Sequence, residues 1–303
     1  MQLIPDDIDW TAYARQTEAR VKVKAASSFD LQAEFAPRDP KVRVAEMWST
    51  KLRDRIEFRP AELTCWAGYN GHRKSMFLGQ VMLDLIHAHY RVLLASFEMA
   101  PSRTLARMAK QALAHIRPRG EPLDAFSRWT DGRLWIFDHM GRIEPETCLA
   151  VCRYFADELK GQHVVIDSMM MVCASEESMD EQKQFVTDLV RLAQETGLHI
   201  HLVTHCRKPQ SGEERPPTKY DLRGSAAISD QAHNVITVWA NREKAAALQV
   251  NPHDTVAQAK PDARVSVEKQ RNGDWEGAVG LWFDPSSLRF CDDRSSKLEP
   301  YPL

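Results

Sequence analysis

The chain has 303 residues, 43% of them apolar and 27% charged, with a formal net charge of −2. That balance excludes a disordered or fibrous chain, and no run reaches the roughly 18 apolar residues needed to cross a bilayer. Near neutrality also excludes a whole-molecule attraction to nucleic acid, so any such surface has to be a local basic patch.

The N-terminus, MQLIPDDIDW, is acidic and lacks the apolar core of a secretion signal, which predicts a cytoplasmic protein with no membrane partner. Residues 1–58 read as an arm or linker without a core of their own. Within them DWTAYARQTEARVKVKAASS (9–28) is helix-compatible and suited to docking on a neighbouring subunit, a solvated extension being the alternative. FAPRDPKVRV supplies two prolines and a linker, and AEMWSTKLRDRI is a short amphipathic segment.

From residue 59 to 292 strand and helix patterns alternate, and 293–303 form a tail. Strands are expected at 63–68, 91–98, 134–139, 163–169, 199–205 and 234–241, with helices after the first two and near 144–159 and 179–196. Near-continuous Val, Ile and Leu runs mark strands buried on both faces, hence an α/β fold with a mostly parallel sheet covered by helices. RVSVEKQ, an NG turn and AVGLWFD predict a C-terminal antiparallel hairpin. Residues 206–222 and 242–262 read as polar, proline-bearing loops. The six cysteines (65, 148, 152, 173, 206 and 291) form no C-x-x-C pair and suit buried thiols in a reduced compartment. His199, His201 and His205 lie in one alternating strand with no nearby carboxylate–histidine motif, so zinc is not expected.

AGYNGHRKS (67–75) falls between a strand and a helix, where a Walker A loop belongs. Gly68, Tyr69, Asn70, Gly71, His72, Arg73, Lys74 and Ser75 would bind nucleotide, backbone N–H groups surrounding the β-phosphate. Lys74 would reach the β/γ oxygens and the Ser75 hydroxyl would hold Mg²⁺. Arg73 stands where the pattern has its second glycine; it either crowds the phosphates or adds charge, with Gly71 supplying backbone freedom. VVIDS (164–168) has the form of a Walker B strand, and Asp167 would be the second metal-holding residue, usually through water. The cofactors expected are ATP and Mg²⁺.

LLASFEMAPSRTLAR (93–107), VVIDS, LVTHCRKP (202–209), DLRGSAAISDQAHNV (221–235) and VEKQRNGDWEG (267–277) follow in the order of one branch of the RecA-like P-loop ATPases. Over roughly 60–290 the chain resembles the ATPase domain of DnaB-type replicative helicases, close to the helicase part of phage primase–helicases and of Twinkle. The resemblance implies roles residue by residue. Glu98 would polarise the attacking water, and Arg107 would pack on the nucleotide base, a solvated helix arginine being the other reading. His205 would sense the γ-phosphate, against a structural strand-end histidine. Lys269 and Arg271 would reach into the neighbouring subunit's site and stabilise γ-phosphate charge in trans, which implies a ring, a hexamer in this family. Arg207, Lys208, Lys219, Arg223, Gly224 and Ser225 would line a central channel and hold single-stranded DNA. No primase module precedes the ATPase pattern, so a separate primase or loader is an expected partner and a phage or prophage origin fits. A second reading is a nucleotide-binding accessory or loader protein with weak or no hydrolysis, to which Arg73 points.

Overall fold

The computed structural model describes residues 9, 45, 47–173, 179–207, 215–224 and 226–303. The expected arm helix at 9–28, apart from Asp9, and the site residues Lys208 and Ser225 lie outside the described residues.

The chain order is β1 (Leu63–Ala67), α1 (Lys74–His87), β2 (Val92–Ser96), α2 (Pro101–Leu113), α3 (Glu121–Thr130), β3 (Leu134–Ile136), α4 (Pro145–Asp157) and β4 (His163–Asp167). It continues with α5 (Met179–Thr196), β5 (His199–Val203), α6 (Ala226–Gln231), β6 (Asn234–Ala240), α7 (Arg242–Val250), α8 (Thr255–Ala259), β7 (Ala263–Gln270), β8 (Gly277–Asp284) and β9 (Arg289–Cys291). One nine-stranded sheet results, in the order β3-β2-β4-β5-β1-β6-β7-β8-β9. The run from β3 to β6 is parallel; β7, β8 and β9 add antiparallel. This is the expected mixed architecture.

Alternation along the strands divides the apolar side chains into two cores, as the two-residue period requires. On one face Trp66, Leu94, Val165, Val203 and Ile236 pack with Phe77, Val81 and Leu85 of α1 and Met108 and Ala112 of α2. On the other, Leu63, Leu93, Val164, Ile166, Ile200 and Leu202 meet Val151 and Phe155 of α4 and Phe185, Val186 and Leu189 of α5. Each fully buried Leu, Ile or Phe contributes about 1.5–3 kcal/mol, so double coverage fixes strand register strongly.

Four features differ from the sequence expectation. Ala45, Met47, Leu52, Ile56 and Phe58, read as part of the arm, are buried in the first core, so packing begins before residue 59. The hairpin connection is a loop over 271–276 rather than a two-residue NG turn. There the Asn272 amide is committed to Glu62 at 2.7 Å, and Gln270 donates to the Arg55 and Trp275 carbonyls at 2.8 and 2.6 Å. The 242–262 loop contains α7 and α8, capped by Asn241 and Asp254 side chains that accept from the Lys244 and Ala257 N–H groups. The tail is tied down as well: the Tyr301 hydroxyl donates to Asp84 at 2.7 Å, and burial pushes the Asp84 carboxyl up to about 7.

His163, His199 and His201 form a stack inside the first core, against Phe58. Trp66 donates to His201 Nδ1 at 3.2 Å, and His201 Nε2 lies 3.3 Å from His163 Nδ1. Thr64 Oγ1 and the Arg59 carbonyl take the two nitrogens of His199 at 2.9 and 2.6 Å. Burial holds His199 down to about 3 and the other two well below the usual histidine range, so all three are neutral. Among the described residues no helix is long and apolar enough to cross a membrane.

Candidate functional site

The parallel strands point their C-terminal ends toward the loop between β1 and α1, the edge where open α/β sheets build ligand sites. A cleft of about 410 Å³ opens there, lined by Asn70, Gly71, His72, Arg73, Lys74, Ser75, Met76, Glu98, Arg107, Asp167 and His205. Sequence-distant groups from α2, from the end of β4 and from just beyond β2 and β5 thus converge on the loop.

The loop is held in place by its own residues. A Cβ on Gly68 would stand 2.4 Å from the Val238 carbonyl oxygen, so only glycine lets the loop pass β6 that closely. The buried His72 ring accepts from the Ala240 N–H at 3.0 Å, and Arg242 donates to the Asn70 carbonyl at 2.9 Å. Tyr69 is buried with its ring edge-on to His72. These side chains anchor the loop, leaving its N-terminal helix end facing the cleft.

Gly71 has φ +78 and Arg73 φ +63. Arg73 therefore adopts the left-handed backbone that glycine takes without cost, a strain of about 1–2 kcal/mol. Its guanidinium lies 4.0 Å over the Phe283 ring, while Arg73 also lines the cleft. Burial lowers its pKa and Asp262 opposes that.

Lys74 is buried, its ammonium donating to the Gly68 and Tyr69 carbonyls at 2.9 and 3.1 Å and lying 3.2 Å from His205 Nδ1. Burial lowers the Lys74 pKa, while Asp167, Cys206 and Glu98 oppose that. Burial, Lys74 and Arg223 push His205 down to about 4, leaving neutral imidazole with Nδ1 as acceptor and Nε2 as donor. Ser75 bonds Asp167, whose carboxyl is raised by burial and by Glu98 and lowered by Ser75, Lys74 and Arg107. The Ser168 hydroxyl donates to Glu98 Oε1 at 2.9 Å. The Ser75–Asp167 pair is an all-oxygen donor set beside a fixed ammonium, which fits Mg²⁺ and a polyphosphate.

Lys269 and Arg271 come together, but not here. Lys269 Nζ donates to the Ser229 and Asp230 carbonyls at 2.8 Å each, and Arg271 donates to Asp230 at 2.9 Å. The Arg271 N–H bonds the His233 carbonyl and His233 N–H bonds Leu63, so both residues sit level with the start of β1. The phosphate loop begins at the other end of that strand, about 15 Å away at roughly 3.3 Å per residue.

The loop after β5 is joined to the cleft. Arg223 N–H donates to the His205 carbonyl and Arg207 N–H to the Asp221 carbonyl, both at 2.8 Å, around a Cys206–Leu222 bridge. Arg207 and Arg223 are thus gathered beside His205, with Gly224 next in the chain, whereas Lys219 stands beside Glu268 of β7. Sequence reading gave no role to Ser168, Phe283 or Arg242. Ser168 stood within the quoted VVIDS; the other two are linked to the loop only by folding.

The family model described as AAA domain matches residues 50–211. Among solved structures, the "ATPase Domain of G40P" aligns with TM-score 0.62 and 17% identity over 78% of this chain and 86% of that one. A DnaB-like replicative helicase, described with its interactions with primase, aligns with TM-score 0.69 and 17% identity. That match covers 86% of this chain and 66% of the helicase, just under two-thirds of its length. At such identities the likeness establishes the shared fold, the RecA-like one expected from the sequence.

Proposed function

The chain belongs to the AAA-domain family, and from that premise we propose that it is an ATP-hydrolysing DNA helicase of the replicative type. In this reading it translocates as a ring on single-stranded DNA, with sites completed between subunits. The observation that carries the reading is the convergence of Lys74, Ser75, Asp167, Glu98 and His205 on one cleft.

Each group has a task its geometry suits. Lys74 exchanges the Gly68 and Tyr69 carbonyls for β/γ-phosphate oxygens. Ser75 and Asp167 would hold Mg²⁺, which would supply charge to offset that of the triphosphate. Glu98, oriented by Ser168, accepts a hydrogen bond from the attacking water. His205 turns its Nε2–H toward the γ-phosphate, and its backbone bond to Arg223 carries a shift at the cleft into the loop. Arg107 flanks the nucleotide base. Lys269 and Arg271 stand too far from their own cleft to serve it, and we assign them to the cleft of an adjoining copy. Arg207, Lys208, Lys219, Arg223, Gly224 and Ser225 form the strand-gripping loop. The ATPase unit in this account is residues 59–292 together with the core residues Ala45, Met47, Leu52, Ile56 and Phe58 before it and Tyr301 after it, with the segment before residue 45 as its subunit-docking arm and a separate primase or loader as partner.

The test is steady-state ATP turnover with and without single-stranded DNA, alongside mass measurement with ATP–Mg²⁺. The motor reading expects a ring and DNA-stimulated turnover; one unchanged rate under both conditions sinks it. The accessory-protein reading draws on Arg73, whose guanidinium rests on Phe283 at the cleft it lines, and nucleotide binding with no turnover under any assembly condition would favour it.

A further inference from the structure

Tyr220 keeps 86% of its surface exposed in the middle of the loop that follows β5. The backbone around it is pinned. Thr218 and Asp221 make a reciprocal capping box, and Arg215 bonds both oxygens of Asp221 at 2.7 and 2.8 Å. The Thr237 hydroxyl donates to the Pro217 carbonyl at 3.1 Å, and Leu222 is buried. Neighbouring side chains on both sides are spent on anchoring the loop, while the one large aromatic ring is presented outward from a fixed support.

Cations border the ring, with Asp221 spent on Arg215 and Glu268 beside Lys219. Lys219 Nζ lies 5.7 Å from the ring centroid, and Arg207 and Arg223 bracket the same bridge. A flat π-face on a rigid backbone, bordered by cations, is the chemistry that holds single-stranded nucleic acid: cations neutralise phosphates while a base stacks on the ring. We propose that Tyr220 stacks on a base of the bound single strand, adding a sequence-tolerant base contact to a grip otherwise made on phosphates. The assignment rests on the single-stranded DNA reading given above. It also places the stack one short bridge from His205, because the Arg223 N–H bonds the His205 carbonyl and Cys206 pairs with Leu222.

The test compares wild type, Tyr220→Ala and Tyr220→Phe in equilibrium binding to a labelled oligo-dT and to an equally long abasic strand. Wild type and Tyr220→Phe are expected to favour the base-bearing strand by roughly tenfold, the size of one base–aromatic stack. Tyr220→Ala is expected to lose that preference while keeping the salt dependence, which reports phosphate contacts. Equal binding of both strands by wild type, or a preference retained in Tyr220→Ala, overturns the stack alone. Binding of neither strand by wild type overturns the DNA reading together with it. Loss of assembly in Tyr220→Ala with the strand preference intact assigns the ring to a subunit contact and overturns the proposal.

Discussion

Strands β4 and β5 each carry polar groups at both ends, and the two ends have opposite fates. At their start, His163, His199 and His201 are sealed among Phe58, Trp66 and Thr64. Beyond their far ends, Asp167 and His205 face a cleft beside Lys74. Burial depresses His199 to about 3 and His205 to about 4, so the shifts alone do not tell the two apart. The partners do. The ring nitrogens of His199 are both committed inside the core, to the Thr64 hydroxyl and the Arg59 carbonyl, whereas His205 shares an ammonium whose other contacts are loop carbonyls that a phosphate can replace. A buried imidazole is structural when its bonds are final and a candidate for function when they can be exchanged.

The comparison breaks most visibly at the cleft. Glu98→Gln is expected to lower ATP turnover by about 10²–10⁴-fold while nucleotide affinity and thermal midpoint stay near wild type. Full turnover in this variant would remove Glu98 from the chemistry. At the sealed end the effects should be reversed in kind. His199→Ala leaves a cavity and removes the ring partners of the Thr64 hydroxyl and the Arg59 carbonyl, so a loss of about 2–4 kcal/mol in chemical denaturation is expected, with nucleotide affinity little changed. A stable protein with weakened nucleotide binding would contradict the division between the two ends.

Proton linkage sharpens the same contrast. Because the three stacked histidines bind protons more weakly when folded, their contribution is complete above their unfolded pKa of about 6.5 and is lost as pH falls toward their folded values. Stability should therefore decline below pH 6.5 by up to about 1.4 kcal/mol per pH unit for each histidine. His201→Leu should flatten that decline; an unchanged slope would show the stack titrates as exposed histidine. The smallest effect is expected at Arg73→Gly. Relief of the left-handed backbone offsets loss of the contact with Phe283, so the denaturation midpoint should move by under about 1 kcal/mol.

Much of this was legible in the sequence because it depends on local pattern. The apolar runs gave the parallel strands, and G-x-x-x-x-x-K-S, VVIDS and the strand ending in Glu98 named Lys74, Ser75, Asp167 and Glu98, four groups that the fold gathers around one cleft. Pattern was silent where long-range bonds decide. Asn272–Gly273 reads as a tight turn until Glu62, 210 residues away in sequence, takes the Asn272 amide. Nothing near Arg73 announces Phe283, and nothing in AEMWSTKLRDRI announces that it closes a core built by α1 and β9. The histidines of HIHLVTH look alike in sequence; only the shells around them separate a sealed pair from the one at the cleft.

The central claim is that each cleft is finished by Lys269 and Arg271 of an adjoining copy. Subunit mixing tests it most directly. Glu98→Gln and Arg271→Ala proteins are each expected to be nearly inactive, while an equal mixture, allowed to reassemble with ATP–Mg²⁺ and single-stranded DNA, recovers turnover. Random mixing gives roughly a quarter of interfaces an intact Glu98 facing an intact Arg271. A mixture no more active than its two components would contradict completion in trans.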